Sequence, residues 1–177
     1  MKIGYPCINR TIECQGDKTF RLKSYSENRL REVIGNNLRC LAKILDYNTA
    51  NNILFFRISS ELVPFASHPV CKVPWQSIFK PDFIGIGNTI KKQNIRISMH
   101  PDQFTLINSR DEDIFGRSVK ELLYHAEVLD LMGLDGTAKI QIHVGGVYGD
   151  KASSIGRFIK RYQELPGPIR KRLVIEN

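Results

Sequence analysis

The sequence predicts an α/β protein of parallel strands joined by helical crossovers. Two observations lead to this fold class. Short apolar runs alternate with amphipathic segments in units of about forty residues, and alternation on that scale is typical of βα units. The run "ILFFRI" at residues 53–58 is also continuous and bulky, as strands buried on both faces tend to be.

The first half of the chain predicts two strands and two helices. A short apolar start at residues 2–5 indicates the first strand, and Ser26 is placed as the N-cap of a helix over 29–46. Residues 53–58 form the second strand. A helix over 79–93 is weaker, because Pro81 and two glycines lie in it.

The second half repeats the same order. Residues 95–99 predict a strand, and residues 113–132 predict the clearest helix, closed by Gly133. A strand over 139–144 is followed by a helix over 153–165 that Pro166 stops. A fifth strand is predicted over 172–176.

Two architectures have this rhythm: an open doubly wound sheet and a TIM (β/α)₈ barrel. A nucleotide-binding sheet carries a glycine-rich fingerprint directly after its first strand, and "GYPCINRT" is not one. The barrel is therefore favoured. Since a complete barrel has eight strands and about 250 residues, we expect a single partial barrel domain over residues 1–177, truncated to about five βα units.

Composition favours an anionic partner. The formal net charge is +8, which points first to nucleic acid. No apolar run approaches the ~20 residues of a membrane helix, so no membrane association is expected. The four cysteines, Cys7, Cys14, Cys40 and Cys71, contain no CxxC pair, and no apolar signal segment precedes them. They are predicted to be reduced thiols in a cytoplasmic protein.

Three predicted strands end in groups that can bind metal. His100, His143 and Glu176 each lie at a strand end, one βα unit apart. Parallel strands direct their carboxyl ends to one face, where barrel enzymes collect catalytic residues. Two imidazoles and a carboxylate suit Zn²⁺, Mn²⁺ or Fe²⁺. Any one of these residues could be structural, and it is their repetition that favours a metal site. His125 lies mid-helix and is predicted to be structural.

Five segments together resemble a known family. "GYPCIN", "RISSELVPFASHP", "SMHPDQF", "IQIHVGGVYGDK" and "LVIEN" are similar, in order and spacing, to the motifs of the UV damage endonucleases. The resemblance spans residues 1–177 and implies a barrel of the apurinic endonuclease and xylose isomerase type. It further implies divalent metal ions, Mn²⁺ first with Zn²⁺ or Mg²⁺ as other candidates. The implied reaction nicks duplex DNA 5′ to pyrimidine dimers and (6-4) photoproducts, leaving a 3′-hydroxyl and a 5′-phosphate.

The resemblance also implies residue roles. His100, His143 and Glu176 become catalytic metal ligands. Gln103 and Phe104 become a probe that enters the duplex where the damaged pair is extruded. The alternative for Phe104 is a loop aromatic folded back onto the core.

Further positions match lesion or scissile-phosphate contacts in the resemblance. These are Tyr5, Asn9 and His68. His68 could equally be a loop-capping histidine, and Arg57 could be a buried ion-pair partner.

Three alternatives stay open at this stage. The family's other ligands and an active-site lysine would lie beyond Asn177, so a full metal cluster is not expected within these residues, and inactivity of the isolated chain stays open. A metal-dependent barrel isomerase or lyase acting on a small sugar-like substrate is the second alternative. A non-catalytic DNA-binding fragment is the third. The protein is expected to be a monomer.

Overall fold

Five parallel strands form one sheet in the computed structural model, which describes residues 1–176. Asn177, the last residue of the "LVIEN" motif, lies outside the described residues. The strands run β1 Gly4–Pro6, β2 Phe55–Ile58, β3 Arg96–Met99, β4 Lys139–Ile142 and β5 Leu173–Ile175.

The order of the strands in the sheet follows their order in the chain. Each strand pairs in parallel with the next one, and over residues 1–176 the first and fifth strands each pair with a single neighbour. A doubly wound sheet would instead reverse its strand order at a switch point. The sequential order therefore confirms the predicted barrel class, here as an open arc of about five βα units.

Six helices accompany the strands within the described residues: α1 Glu27–Ala50, α2 Trp75–Ile78, α3 Lys80–Lys92, α4 Glu112–Leu131, α5 Lys151–Glu164 and α6 Gly167–Arg172. Short 3₁₀ turns occur at Leu22–Ser24 and Ser60–Leu62. None of these helices has the length and apolarity that a membrane crossing requires.

The helix ends follow the sequence signals closely. Ser26 caps α1 by accepting a hydrogen bond from the Arg29 backbone amide, as predicted. Gly133 follows α4 with φ of 63°, the left-handed conformation that ends many helices. The prediction was incomplete beyond Pro166, because a second short helix, α6, follows α5 before the fifth strand begins.

The hydrophobic core fills the space between the sheet and its helices. On β2, Phe56 and Ile58 are buried in this core, whereas Arg57 between them points to the opposite face of the sheet. The same alternation buries Ile140 and Ile142 on β4. The helices thus cover one face and leave polar side chains on the other, where a barrel has its interior.

The prediction of four reduced thiols is wrong for one pair. Cys14 and Cys40 form a disulfide with a Cα–Cα distance of 5.3 Å, whereas Cys7 and Cys71 are free. Helix α1 brings Cys40 against the loop after β1, where Cys14 lies. No sequence spacing signals such a contact, because it depends on how the loop packs on the helix.

Candidate functional site

The three predicted ligands come together at the carboxyl ends of their strands. His100 Nε2 lies 3.3 Å from Glu176 Oε2, and the ring centroids of His100 and His143 are 5.0 Å apart. The Glu176 backbone amide donates to the Ile142 carbonyl at 2.9 Å, which fixes the end of β5 beside the residue that precedes His143. Parallel register thus brings residues from three distant segments to one place.

Arg57 joins this group from β2. Its Nη2 lies 3.4 Å from the same Glu176 oxygen that faces His100, and both side chains are only partly buried. The prediction that Arg57 could be an ion-pair partner is confirmed. The ion pair places the Arg57 guanidinium beside the predicted metal ligands. Arg57 therefore balances the carboxylate charge and holds its orientation.

The donor chemistry of His100 and Glu176 fits a shared divalent ion. His100 Nδ1 donates to the Pro101 carbonyl at 2.5 Å, so in the neutral ring the Nε2 lone pair faces the Glu176 carboxylate. A ring-nitrogen lone pair and a carboxylate oxygen this close together can both bind one cation placed between them. Ligands bound to one ion at ~2.1 Å each are separated by roughly 3 Å, close to the observed distance.

His143 does not complete a three-ligand group. It is exposed, and residues 1–176 contain no set of three His, Cys, Asp or Glu side chains arranged to hold a metal ion. The described residues therefore supply two well-placed ligands, His100 and Glu176, and a second imidazole, His143, close by. A metal bound here needs a movement of His143 or further donors.

The loop after β3 presents the predicted probe. Gln103 and Phe104 are exposed, and Phe104 keeps 73% of its surface accessible, so this ring does not fold back onto the core. Asp102 shapes the turn, because its carboxylate accepts from the Phe104 backbone amide at 2.8 Å. Leu106 is tied to α4 through Ser118.

Tyr5 on β1 and Asn9 in the loop after it are brought together. The Tyr5 hydroxyl donates to Asn48 Oδ1 on α1 and accepts from Asn9 Nδ2, both at 2.6 Å. Asn9 is buried, and its Oδ1 accepts from the backbone amides of Thr11 and Ile12. These bonds anchor both residues to α1 and to their own loop, and none of them reaches His100, His143 or Glu176.

His68 is exposed in the loop after the second strand. Its Nδ1 accepts from the Val70 backbone amide at 3.1 Å, which is the local capping bond considered from the sequence. The ring lies edge-on to Phe65, with centroids 6.3 Å apart. The structure thus gives His68 a local structural bond and leaves its remaining ring nitrogen accessible.

Beneath these loops lies a buried titratable pair on α4. The Ser67 hydroxyl donates to Glu121 Oε2 at 2.5 Å, and burial raises the pKa of Glu121 to about 7. His125 is fully buried one turn later, and burial lowers its pKa to about 4. His125 is therefore structural, as predicted. Glu121 and Phe104 both line an open pocket of about 370 Å³.

Sequence reasoning missed the residues that fix the loop after β4. Asn108 is fully buried, and its Nδ2 donates to the Gly146 carbonyl at 2.9 Å. Gly145 has a φ of 100° and no room for a side chain, since a Cβ would lie 2.2 Å from Asn108 Oδ1. The two adjacent glycines of "HVGGVYG" were the available signal, although they do not reveal the partner.

Comparison with known proteins places these observations in a family context. The chain matches the UV-endonuclease UvdE family over residues 1–177. It is 42% identical over 177 residues to a UV DNA damage endonuclease of Clostridium perfringens, covering 43% of that protein. It is 37% identical to a UV DNA damage endonuclease of Bacillus cereus, covering 58% of it.

A solved crystal structure, that of SacUVDE, has the same fold. The TM-score is 0.97 at 47% sequence identity, and the match covers all of this chain and 61% of the other. The chain therefore spans about half the length of the relatives that it matches.

Proposed function

This chain belongs to the UV-endonuclease UvdE family, and we propose that its site serves a DNA repair endonuclease that nicks UV-damaged duplex. The observation that carries the proposal is the meeting of His100, His143 and Glu176 at the carboxyl ends of three parallel strands. The nick is proposed to fall immediately 5′ to a pyrimidine dimer or (6-4) photoproduct, leaving a 3′-hydroxyl and a 5′-phosphate.

His100, Glu176 and, after movement or with added donors, His143 would hold a divalent cation, proposed to be Mn²⁺. Such a cation supplies charge neutralisation at the phosphate and activation of water at neutral pH. The protein's own contribution is orientation. Pro101 fixes the His100 ring, and Arg57 holds the Glu176 carboxylate in place.

The loop after β3 gives the proposal its substrate class. Phe104 is an exposed ring four residues after His100, and Gln103 next to it offers an amide. A small sugar-like substrate gains little from an outward-facing ring. A duplex with an unstacked lesion gains a partner for its vacated stack, since base–aromatic stacking is worth ~1–3 kcal/mol. This favours DNA over the isomerase or lyase alternative.

The test uses supercoiled plasmid, irradiated or not, incubated with the 177-residue chain and Mn²⁺. We expect nicking and tighter binding of the irradiated plasmid, with nicking lost on metal chelation and in a Glu176→Gln variant. Glu127→Gln is the matched control, because it makes the same change at an exposed position of α4.

If the chain nicked and bound irradiated and unirradiated plasmid equally well, the proposal would be contradicted. Binding that prefers irradiated plasmid without nicking would support the alternative of a non-catalytic DNA-binding fragment.

A further inference from the structure

The segment that follows His143 is held in a strained and fixed conformation. This segment, residues 144–150, is called the β4 loop below. Tyr148 has a φ of 53°, a left-handed conformation that is uncommon and strained for a residue other than glycine. Strain of this kind persists only where surrounding contacts impose it.

Those contacts come from three sides, although every residue of the β4 loop is exposed. Asn108 binds the Gly146 carbonyl from below, and the Ser154 hydroxyl on α5 donates to the Val147 carbonyl. Arg110 Nη2 donates to the Tyr148 carbonyl at 2.7 Å. The loop is thus an exposed surface whose shape is already set before anything binds.

Two arginines share the Tyr148 ring. The guanidinium carbons of Arg110 and Arg157 each lie 5.2 Å from the ring centroid. They are therefore within about 10 Å of one another, roughly one Debye length at 0.1 M salt. Their mutual repulsion is only partly screened, and an anion that accepts hydrogen bonds from both would relieve it.

No carboxylate among residues 1–176 forms an ion pair with either arginine. Asp150 is near, and the pKa of its carboxyl is lowered, mainly by hydrogen bonds from Ser153 and least by Arg110. Arg157 uses Nε for the Asn108 carbonyl and Nη2 for Ser154. Among the described contacts, Arg157 Nη1 and Arg110 Nη1 and Nε keep donors available.

We propose that Arg110, Tyr148 and Arg157 form a phosphate clamp that binds a phosphate of the DNA backbone. The inference rests on the proposed function and adds a binding site to it. A phosphodiester fits because the planar guanidinium fork matches phosphate oxygens. The β4 loop directly follows His143, which places the clamp beside the candidate catalytic site.

If the clamp binds a phosphate, it should contribute to the salt dependence of DNA affinity. A cation–π cluster with a purely structural role should not. Neutralising one duplex phosphate contributes ~0.9 to the slope of log affinity against log salt concentration. An Arg110→Gln/Arg157→Gln variant should lower that slope by about 0.9 and bind duplex roughly tenfold more weakly at 0.1 M salt. A lysine double variant, Arg110→Lys/Arg157→Lys, should keep most of the slope.

The measurement is fluorescence anisotropy of the 177-residue chain with a short labelled duplex, irradiated or not, across a range of salt concentrations. Arg96→Gln is the matched control. Arg96 also stacks on an aromatic ring, that of Phe55, but it lies at the amino end of β3, opposite the site. Arg110→Gln alone is included because its exposed side chain makes removal safe for folding, which circular dichroism checks.

A phosphate contact carries no information about the base, so the clamp should act equally on irradiated and unirradiated duplex. An unchanged slope in both glutamine variants, or an equal fall in Arg96→Gln, would overturn the clamp while leaving the proposed function standing. A fall in slope without any preference for irradiated DNA would support the clamp and count against the proposed lesion specificity. A parent chain that binds neither duplex would overturn both.

Discussion

Glu121 offers the sharpest test of the electrostatics beneath the loops of the site. It is a carboxyl group on α4 that accepts from the Ser67 hydroxyl and lies 3.5 Å from His125 Nδ1. Burial raises its pKa from 4.5 to about 7, with smaller contributions from the nearby carboxylates of Asp102 and Glu61. The proposed change is Glu121→Gln. It keeps the shape of the side chain and one oxygen that can accept the Ser67 hydrogen bond, but it removes the ionisable carboxyl group.

The magnitude follows from the pKa shift. In the unfolded chain Glu121 loses its proton near pH 4.5, whereas in the folded chain it holds the proton until about pH 7. The folded state therefore binds more protons between these values, and the stability contributed below pH 4.5 is lost as the pH rises through 7. At 1.36 kcal/mol per pKa unit, the loss between pH 5 and pH 8 is about 2 to 3 kcal/mol.

His125 acts in the opposite direction. Its pKa is lowered from 6.5 to about 4, so its contribution is complete above pH 6.5 and is lost as the pH falls through 4. The two largest influences on the His125 pKa, burial and the hydrogen bond to the Glu121 backbone carbonyl, are kept in Glu121→Gln, so most of this contribution cancels in the difference between parent and variant.

The assay is urea unfolding of parent and variant at half-unit steps from pH 5 to pH 8. The variant's free energy of unfolding should rise relative to that of the parent by about 2 to 3 kcal/mol across this range. Glu127→Gln, an exposed change on the same helix, should show no such trend.

Parallel pH profiles for parent and Glu121→Gln would refute the reasoning. They would mean that water or a local opening solvates the carboxylate, so that Glu121 ionises as it does in the unfolded chain. An equal trend in Glu127→Gln would instead assign the effect to the overall charge of the chain.

Two further predictions concern the probe and the disulfide. Gln103→Ala combined with Phe104→Ala should weaken binding to irradiated duplex by roughly ten- to a hundredfold and leave Mn²⁺ binding unchanged, measured by anisotropy and calorimetry; unchanged DNA binding would remove the probe role. Cys14→Ser/Cys40→Ser should lower the free energy of unfolding by about 3.5 kcal/mol, since the disulfide closes a loop with a sequence separation of 26. Cys71→Ser is the control in urea unfolding, and equal losses would show that the crosslink contributes nothing.

The alternation of strands and helices was predictable because the signals for it are local in sequence. Ser26 caps its helix through a residue three positions away, and Gly133 ends α4 through its own backbone freedom. The convergence of His100, His143 and Glu176 was predictable too, since parallel strands with helical crossovers carry their carboxyl ends to one face. These inferences need only the period of the hydrophobic pattern and the direction of each strand.

Contacts between distant segments were not predictable in this way. Sequence spacing did not pair Cys14 with Cys40 or place Asn108 beneath Gly146, since each contact depends on how a loop packs after the helices are in place. The separation of His143 from the other two donors is likewise a matter of side-chain placement.

The sequence by itself determined the order of the strands, the face on which the site lies and the residue types available there. Only the tertiary structure decided that Arg57 shares the Glu176 carboxylate with His100, and that Arg110 and Arg157 meet on the Tyr148 ring. The physical reason is distance along the chain. Periodicity and capping act over a few residues, whereas these contacts join segments tens of residues apart, and their geometry depends on the packing of the whole fold.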